Sequence, residues 1–111
     1  MNKKTYAFDI DGVICKTENS DYENSVPNIK AIEKINYLHN KGHNIIIFTA
    51  RFMGRTNNNI KKANEIGYDF TLKQLKKWNV KFDRLFMGKP SYDLFIDDKA
   101  YNYNNDWIKN I

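Results

Sequence analysis

The chain has 111 residues, of which 41% are hydrophobic and 28% charged, and this balance is typical of a globular protein rather than of a disordered segment. The length supports a single domain, residues 1–111, with one hydrophobic core, and it excludes two domains with a core each. The formal net charge of +5 fits either a lysine-rich surface or attraction to anions such as phosphorylated metabolites or nucleic acid.

Cysteine usage and hydropathy indicate the compartment. Cys15 is the only cysteine, so an intramolecular disulfide is excluded and a reducing environment fits best. The N-terminus carries no apolar signal segment, and no apolar run approaches the length of a membrane span. We therefore expect a cytoplasmic protein with no membrane partner.

The first elements expected along the chain are a strand, a flap and the start of a helix. Residues 4–9 predict the strand, and the polar stretch 12–24 predicts a loop or small flap. Ser25 and Pro27 indicate that a helix begins there, because proline is tolerated in a first helical turn.

This first helix is expected to bury one stripe and to be followed by a strand. Its apolar residues recur at helical spacing and are Ile29, Ile32, Ile35 and Leu38. Gly42 is typical of a helix C-terminus. The continuous apolar run 43–50 predicts a strand buried on both faces of a parallel sheet.

The second half of the chain continues the alternation of helices and strands. Residues 54–59 are polar, and the helix that follows is expected to reach Glu65 or Ile66 and to end at Gly67. The later elements are a helix over 70–79, strands over 84–87 and 93–97, and a helical tail over 100–111. This order predicts an α/β fold with a mainly parallel sheet, in which ligands bind at the carboxyl ends of the strands.

Polar side chains follow three of the predicted strands. Asp9 and Asp11 lie two residues apart, so both leave the same face of an extended chain, and their like charges need a cation between them. Thr49 ends the second strand, and Asp97 and Asp98 end the last. The sequence therefore predicts a cation site at one edge of the sheet.

The order of the motifs resembles that of a known superfamily. D-x-D-G, hydrophobics-Thr, Lys-Pro at Lys89 and hydrophobics-Asp-Asp follow one another as in the haloacid dehalogenase superfamily of phosphohydrolases. The stretches "FDIDGVIC", "FTAR" and "GKPSYDLFIDDKA" make the chain most similar to the small capsule-biosynthesis phosphatases of that superfamily. The resemblance runs from Tyr6 to about Ala100 and implies a Rossmann-like fold; the stretch 12–25 is too short for a cap domain.

The residue types suit the hydrolysis of a phosphate monoester. Asp9 can attack phosphorus to give an aspartyl-phosphate, and Asp11 can act first as general acid and then as general base. Thr49 can hydrogen-bond the transferring phosphoryl group, and Lys89 supplies positive charge against that group.

A phosphate surrounded by several aspartates needs a hard cation with oxygen ligands, and we expect Mg²⁺. Asp9 and Asp97 are the expected carboxylate ligands, and the resemblance implies the backbone carbonyl of Asp11 as a third ligand. Asp98 faces away from Asp97 on an extended strand. We therefore expect it to contact the metal through water or to support the residues that bind the metal directly.

The choice of active-site lysine stays open. The superfamily usually places a helix between this lysine and the last strand, whereas only "PSYD" separates them here. Residues 88–93 reach about 20 Å when extended, which is tight for a bare crossover along a strand about 13 Å tall. If this connection cannot place Lys89 at the site, we expect Lys73 to be the active-site lysine instead. Arg51 could contact substrate or form a surface ion pair, and the same holds for Lys99.

These features predict a Mg²⁺-dependent phosphomonoesterase, and the resemblance implies a sugar phosphate of cell-surface polysaccharide synthesis as its substrate. Two alternatives stay open: a phosphatase of nucleotide or polynucleotide ends, which the positive charge would suit, and a non-catalytic phosphate-binding module. Against nucleic acid, the sequence lacks a basic stripe interleaved with aromatic residues. Capless relatives either take bulky substrates or close the site with a neighbouring subunit, so we expect a homo-oligomer, with the flap 13–24 as a candidate contact.

Overall fold

Three parallel strands form the centre of the fold. The structure is a computed structural model that describes residues 2–104 and 106–111. In chain order its strands and helices are β1 (Thr5–Phe8), β2 (Cys15–Lys16), β3 (Val26–Pro27), α1 (Ile29–Asn40), β4 (Asn44–Phe48), α2 (Ile60–Lys77), β5 (Arg84–Phe86) and α3 (Trp107–Asn110). The fold is α/β with a parallel sheet, as predicted. No helix in the described ranges is long and apolar enough to cross a membrane.

The sheet has the strand order β1-β4-β5. Tyr6 lies opposite Ile45 in the first parallel pair, and Leu85 lies opposite Ile47 in the second. Both crossovers, through α1 and through α2, step in the same direction across the sheet. Because such crossovers are right-handed, they carry both helices to the same face.

The core therefore fills one face of the sheet. It combines alternate strand residues with the inner faces of the helices, and its buried members include Phe8, Ile35, Ile45, Ile47, Leu75, Leu85 and Trp107. Trp107 of α3 packs against Phe8, with ring centroids 5.4 Å apart.

The opposite face of the sheet is open. Burial alternates along β4, where Ile45 and Ile47 are buried and Asn44, Ile46 and Phe48 are only half-buried. A shallow cavity of about 530 Å³ lies on this face between Lys3, Thr5, Asn44, Ile46, Arg84 and Phe86. The prediction that residues 43–50 are buried on both faces is wrong, because no crossover in the described chain steps in the opposite direction to cover the second face.

The first helix begins later than Ser25 and Pro27 indicate. Pro27 lies in β3, which pairs with β2 to make the flap a short antiparallel hairpin, and proline is tolerated in such edge strands. The side chain of Asn28 caps α1 by accepting a hydrogen bond from the backbone N–H of Ala31. Ile29 consequently lies at the solvent-facing start of the helix and is 59% exposed, so it does not belong to the buried stripe. Gly42 follows the end of α1 with a φ of +96°, as predicted.

The two helices expected over 60–66 and 70–79 are one helix, α2. Gly67 does not end it, and lies buried in its middle. A Cβ atom at Gly67 would lie 2.1 Å from the ring of Phe52. The glycine therefore serves the close approach of this ring to the helix backbone.

The strand predicted over 93–97 does not form. Residues 94–97 have no regular secondary structure in the described chain. To pair with the free edge of β1, the chain would cross about 14 Å of sheet from β5 and return about 13 Å along the strands, against a reach of about 20 Å for residues 88–93. That leaves no length for passing around the sheet. Leu94 and Ile96 are consequently 77% and 88% exposed.

The helical tail predicted over 100–111 is reduced to the four residues of α3. Residues 100–104 have no regular structure, and Asn105 lies outside the described residues. The side-chain amide of Asn110 donates a hydrogen bond to the Tyr101 hydroxyl, which ties the irregular part to α3.

The packing at Gly67 generates a prediction about stability. Gly67→Ala gains about 1 kcal/mol of helix propensity, but the added methyl group overlaps the buried Phe52 ring. We expect a net loss of about 1–3 kcal/mol in the free energy of unfolding, measured by urea denaturation. Asp69→Ala, at an exposed position of the same helix, is the control and should change stability by less than about 0.5 kcal/mol. A stabilised Gly67→Ala protein would contradict this account of the glycine.

Candidate functional site

A cleft of about 350 Å³ lies at the carboxyl ends of β1 and β4, where the sequence places it. Its lining residues come from the two strand ends, the flap and the loops after β4 and β5: Asp9, Asp11, Thr17, Ser20, Tyr22, Ala50, Arg51, Gly54, Arg55 and Ser91. The cleft therefore joins four segments of the chain, from the end of β1 to the loop after β5.

Asp9 and Asp11 both line this cleft, which confirms that the two carboxylates share one side of the chain. After β1 the backbone turns sharply, since the N–H groups of Val13, Ile14 and Cys15 all approach the carbonyl of Ile10. Gly12 has a φ of +90°, which favours glycine because side chains are strained in that region. The turn holds the Asp11 side chain beside that of Asp9.

Asp11 forms the densest set of polar contacts in the cleft. The Nε of Arg51 donates to its Oδ2 at 3.0 Å, and Nη2 donates to its Oδ1 at 2.9 Å. This two-pronged geometry is the strongest form of arginine–carboxylate pairing. The Thr17 hydroxyl also donates to Oδ1 at 2.5 Å, so the flap and the loop after β4 both hold this carboxylate.

Arg51 is not a surface residue, because it is only 1% exposed. Its Nη1 donates to Oε1 of Gln74 on α2 at 2.6 Å, and Nη2 lies 3.7 Å from the Cys15 sulfur. The guanidinium carbon lies 4.7 Å from the centroid of the Tyr22 ring. Of the two alternatives for Arg51, the surface ion pair is therefore wrong, and the geometry favours a residue that positions Asp11 over one that binds substrate directly.

Asp9 is paired with the second cation of the site. Lys89 Nζ lies 3.5 Å from Asp9 Oδ2, and the backbone N–H of Ile10 donates to Asp9 Oδ1 at 2.8 Å. Burial raises the pKa of Asp9, and the opposing effect of Lys89 only partly offsets it. Burial also acts to lower the pKa of Lys89, but the side chains of Tyr92 and Asp9 outweigh it, so this pKa is raised.

Lys89 lies where the active-site lysine is expected, and the substitute Lys73 is exposed on α2. The backbone N–H of Lys89 donates to the carbonyl of Thr49 at 3.1 Å, which ties its loop to the end of β4. Its Nζ also lies 5.5 Å from the Tyr92 ring centroid and 5.7 Å from that of Phe95. The contact with Asp9 thus favours Lys89 over Lys73 as the cation of this cleft.

Thr49 lies at the end of β4 but is fully buried. Its hydroxyl oxygen accepts a hydrogen bond from the backbone N–H of Arg51 at 3.1 Å. In the described structure it supports the loop that carries Arg51 and is not among the residues that line the cleft.

Asp97, Asp98 and Lys99 are not brought to the cleft, because the strand that should carry them does not form. All three are exposed, and Asp97 accepts a hydrogen bond from the backbone N–H of Lys99 at 3.3 Å. This N–H and the neighbouring Asp98 lower the pKa of Asp97. No cluster of three or more His, Cys, Asp or Glu side chains suited to a metal ion occurs within residues 2–104 and 106–111.

The residues at the cleft nonetheless suit magnesium. Mg²⁺ takes oxygen ligands and is commonly held by only one or two carboxylates, completing its shell with water and substrate phosphate. Asp9 offers such an oxygen beside the backbone of Asp11. The donor set therefore fits Mg²⁺, with fewer protein ligands than the sequence predicts.

Three residues of this site carry no signal in the sequence that would single them out. Gln74 is one polar residue among many on α2, and Tyr22 and Arg55 carry no motif. Gln74 links Arg51 to the flap, since its side-chain amide also donates to the carbonyl of Tyr22 at 2.7 Å. Only the contacts across the fold identify these residues.

No family model matches the chain, and no curated protein matches it. A crystal structure of a structural-genomics target from Vibrio cholerae is similar to it, with 30% sequence identity and a TM-score of 0.82, over 96% of this chain and 94% of that chain. The description of that structure names no activity. Since the likeness extends over nearly the full length of both chains, the protein belongs to the same family as this Vibrio cholerae protein.

Proposed function

We propose that the protein is a Mg²⁺-dependent phosphomonoesterase of the haloacid dehalogenase type. The observation that carries the proposal is the pair of carboxylates, Asp9 and Asp11, which share one cleft and are each held by a different cation. A nucleophile and a proton donor side by side, with positive charge around them, are what phosphoryl transfer through a covalent intermediate requires.

The first half of the proposed reaction uses both aspartates. A carboxylate oxygen of Asp9 forms a bond to phosphorus while the bond from phosphorus to the ester oxygen breaks. Asp11, protonated on an oxygen that has released its contact with Arg51, gives its proton to that leaving oxygen, so the product departs as a neutral alcohol. Asp9 then carries the phosphoryl group as a mixed anhydride.

The second half releases inorganic phosphate. Asp11, now a carboxylate, takes a proton from a water molecule whose oxygen attacks phosphorus, and the bond from phosphorus to Asp9 breaks. Arg51 and Thr17 hold the Asp11 carboxylate in place, and Lys89 lies beside Asp9 to offset the negative charge of the phosphoryl group. Bound Mg²⁺, held by Asp9 and the Asp11 carbonyl, would supply further positive charge against the phosphoryl oxygens.

The substrate is proposed from the resemblance as a sugar phosphate of cell-surface polysaccharide synthesis. Phosphate release measured across sugar phosphates, nucleotides, 3′- or 5′-phosphorylated oligonucleotides and phosphopeptides tests this assignment. Turnover confined to oligonucleotides would favour the end phosphatase, and binding without turnover of any compound would favour the phosphate-binding module. That the enzyme acts as a homo-oligomer stays a prediction.

Removal of the metal is the first test of the chemistry. Excess chelator should abolish phosphate release, because the carboxylates at the cleft and the phosphate dianion repel one another without a compensating cation. Added Mg²⁺ should restore activity, and Ca²⁺, which is larger and tolerates irregular geometry, should restore much less. Full turnover in excess chelator would contradict the proposed mechanism.

The two aspartates should fail in different ways. Asp9→Asn removes the nucleophile, so no phosphoryl adduct should form and activity should fall to background. Asp11→Asn removes the general acid and base, which costs about 10²–10⁴-fold in turnover, and less with p-nitrophenyl phosphate, whose leaving group hardly needs protonation. Mass spectrometry after mixing with substrate and Mg²⁺ distinguishes them, because the adduct should accumulate in Asp11→Asn. An adduct on Asp9→Asn would show that the roles are misassigned.

The positioning role of Arg51 is tested by a double-mutant cycle. Arg51→Met leaves Asp11 without its main partner and should lower the free energy of unfolding by about 2–4 kcal/mol. In an Asp11→Asn background the same change should cost less, with a coupling energy of about 1–2 kcal/mol, measured by urea denaturation. Arg84→Met, at an exposed strand position, is the matched control. Purely additive effects would show that Arg51 acts through packing alone.

A further inference from the structure

We infer that the cleft contains a second anion subsite at Arg55, and that the preferred substrates are phosphomonoesters whose leaving group carries a further anionic group. That the ligand is a substrate rests on the proposed function. The subsite itself rests on the contacts of Arg55, and binding measurements test it without turnover. No step of the phosphoryl transfer described above uses this residue.

Arg55 is held at the cleft by neutral partners. It lies in a short 3₁₀ turn, Gly54–Thr56, and its Nη2 donates to the carbonyl of Ser20 in the flap at 3.0 Å. Its guanidinium carbon lies 4.7 Å from the centroid of the Phe52 ring and 5.2 Å from that of Tyr22. Cation–π contact with two rings helps to hold the guanidinium while leaving its positive charge in place.

The two rings that hold Arg55 are themselves anchored. Their centroids lie 4.9 Å apart, and the backbone N–H of Phe52 donates to the Tyr22 hydroxyl at 3.4 Å. Phe52 is buried against Gly67, and its φ of +67° is rare for a bulky residue. Arg55 therefore packs against two rings that are themselves held in place, so its side chain loses less conformational freedom when a ligand binds.

The charge of Arg55 is the part of the cleft that remains available. Asp11 pairs with Arg51 and Asp9 with Lys89, whereas in the described part of the chain no carboxylate lies within ion-pairing distance of Arg55. A guanidinium has five N–H donors, and the Ser20 carbonyl takes one of them. The remaining donors suit a carboxylate or a phosphate in a planar, two-pronged contact.

The size of the cleft suits a single small ligand that contacts both the aspartates and Arg55. The guanidinium carbons of Arg51 and Arg55 lie 4.7 Å and 5.2 Å from the centroid of the same Tyr22 ring, so these two carbons are at most about 10 Å apart. A cleft of about 350 Å³ lies in the range of small-molecule sites. A phosphorylated sugar acid or a sugar bisphosphate has two anionic groups at such a separation.

Matched ligands test the subsite without turnover. In the Asp9→Asn protein with Mg²⁺, calorimetry compares glucose 6-phosphate with 6-phosphogluconate, which adds a carboxylate, and with glucose 1,6-bisphosphate, which adds a phosphate. We expect 6-phosphogluconate and glucose 1,6-bisphosphate each to bind at least about 10-fold more tightly than glucose 6-phosphate, because each gains one charge-assisted contact. Arg55→Gln in this background should remove that preference, and Arg55→Lys should retain part of it.

The control separates the local contact from the general positive charge of the protein. Arg84→Gln removes the same charge from the open face of the sheet, and at constant salt it should leave the preference unchanged. Equal affinity for all three compounds, no binding of any at millimolar concentration, or an equal effect of Arg55→Gln and Arg84→Gln would each overturn the inference. A preference that depends on Arg55 without phosphate release by the wild-type protein would retain the subsite and refute the phosphatase.

Discussion

The fold around the cleft depends on the ion pair between Asp11 and Arg51. Two carboxylates at the end of one strand repel each other, and the buried guanidinium of Arg51 compensates one of them at 2.9 Å. A buried arginine is costly unless its other donors are also satisfied, and Gln74 of α2 meets that requirement. The pair therefore joins β1, the loop after β4, and α2, and through the carbonyl of Tyr22 it also orders the flap.

Helices cover only one face of the sheet, and the connections that cause this also determine which segments reach the cleft. Crossovers in a single direction bring β1 and β4 side by side, so their carboxyl ends meet at Asp9, Asp11 and the loop that carries Arg51. The segment after Lys89 would need the reverse direction to reach the free edge of β1. It forms no regular secondary structure, and its apolar side chains are exposed: Tyr92, Leu94, Phe95 and Ile96. Several exposed apolar residues in one segment are unusual in a monomer.

Local patterns predicted the parts of the molecule that local physics controls. The spacing of Asp9 and Asp11, the apolar run of β4 and the parallel α/β alternation need no knowledge of distant contacts. Gly67 was misread because a glycine in a helical pattern indicates a helix end, whereas here it admits the ring of Phe52 from another segment. The burial of Arg51 was equally hidden, since it depends on Gln74, and nothing adjacent in sequence marks that residue.

Arg51 and Arg55 illustrate how burial divides the work between two like residues in one loop. The left-handed backbone of Phe52 lies between them in sequence, and the two guanidinium groups contact the same Tyr22 ring. Arg51 is enclosed and its donors are taken by Asp11 and Gln74, so its charge is neutralised within the protein. Arg55 is exposed and is held by rings and a carbonyl, none of which cancels its charge. The positive charge left to attract an anion therefore lies at the mouth of the cleft, whereas the cations deeper in the site hold the aspartates.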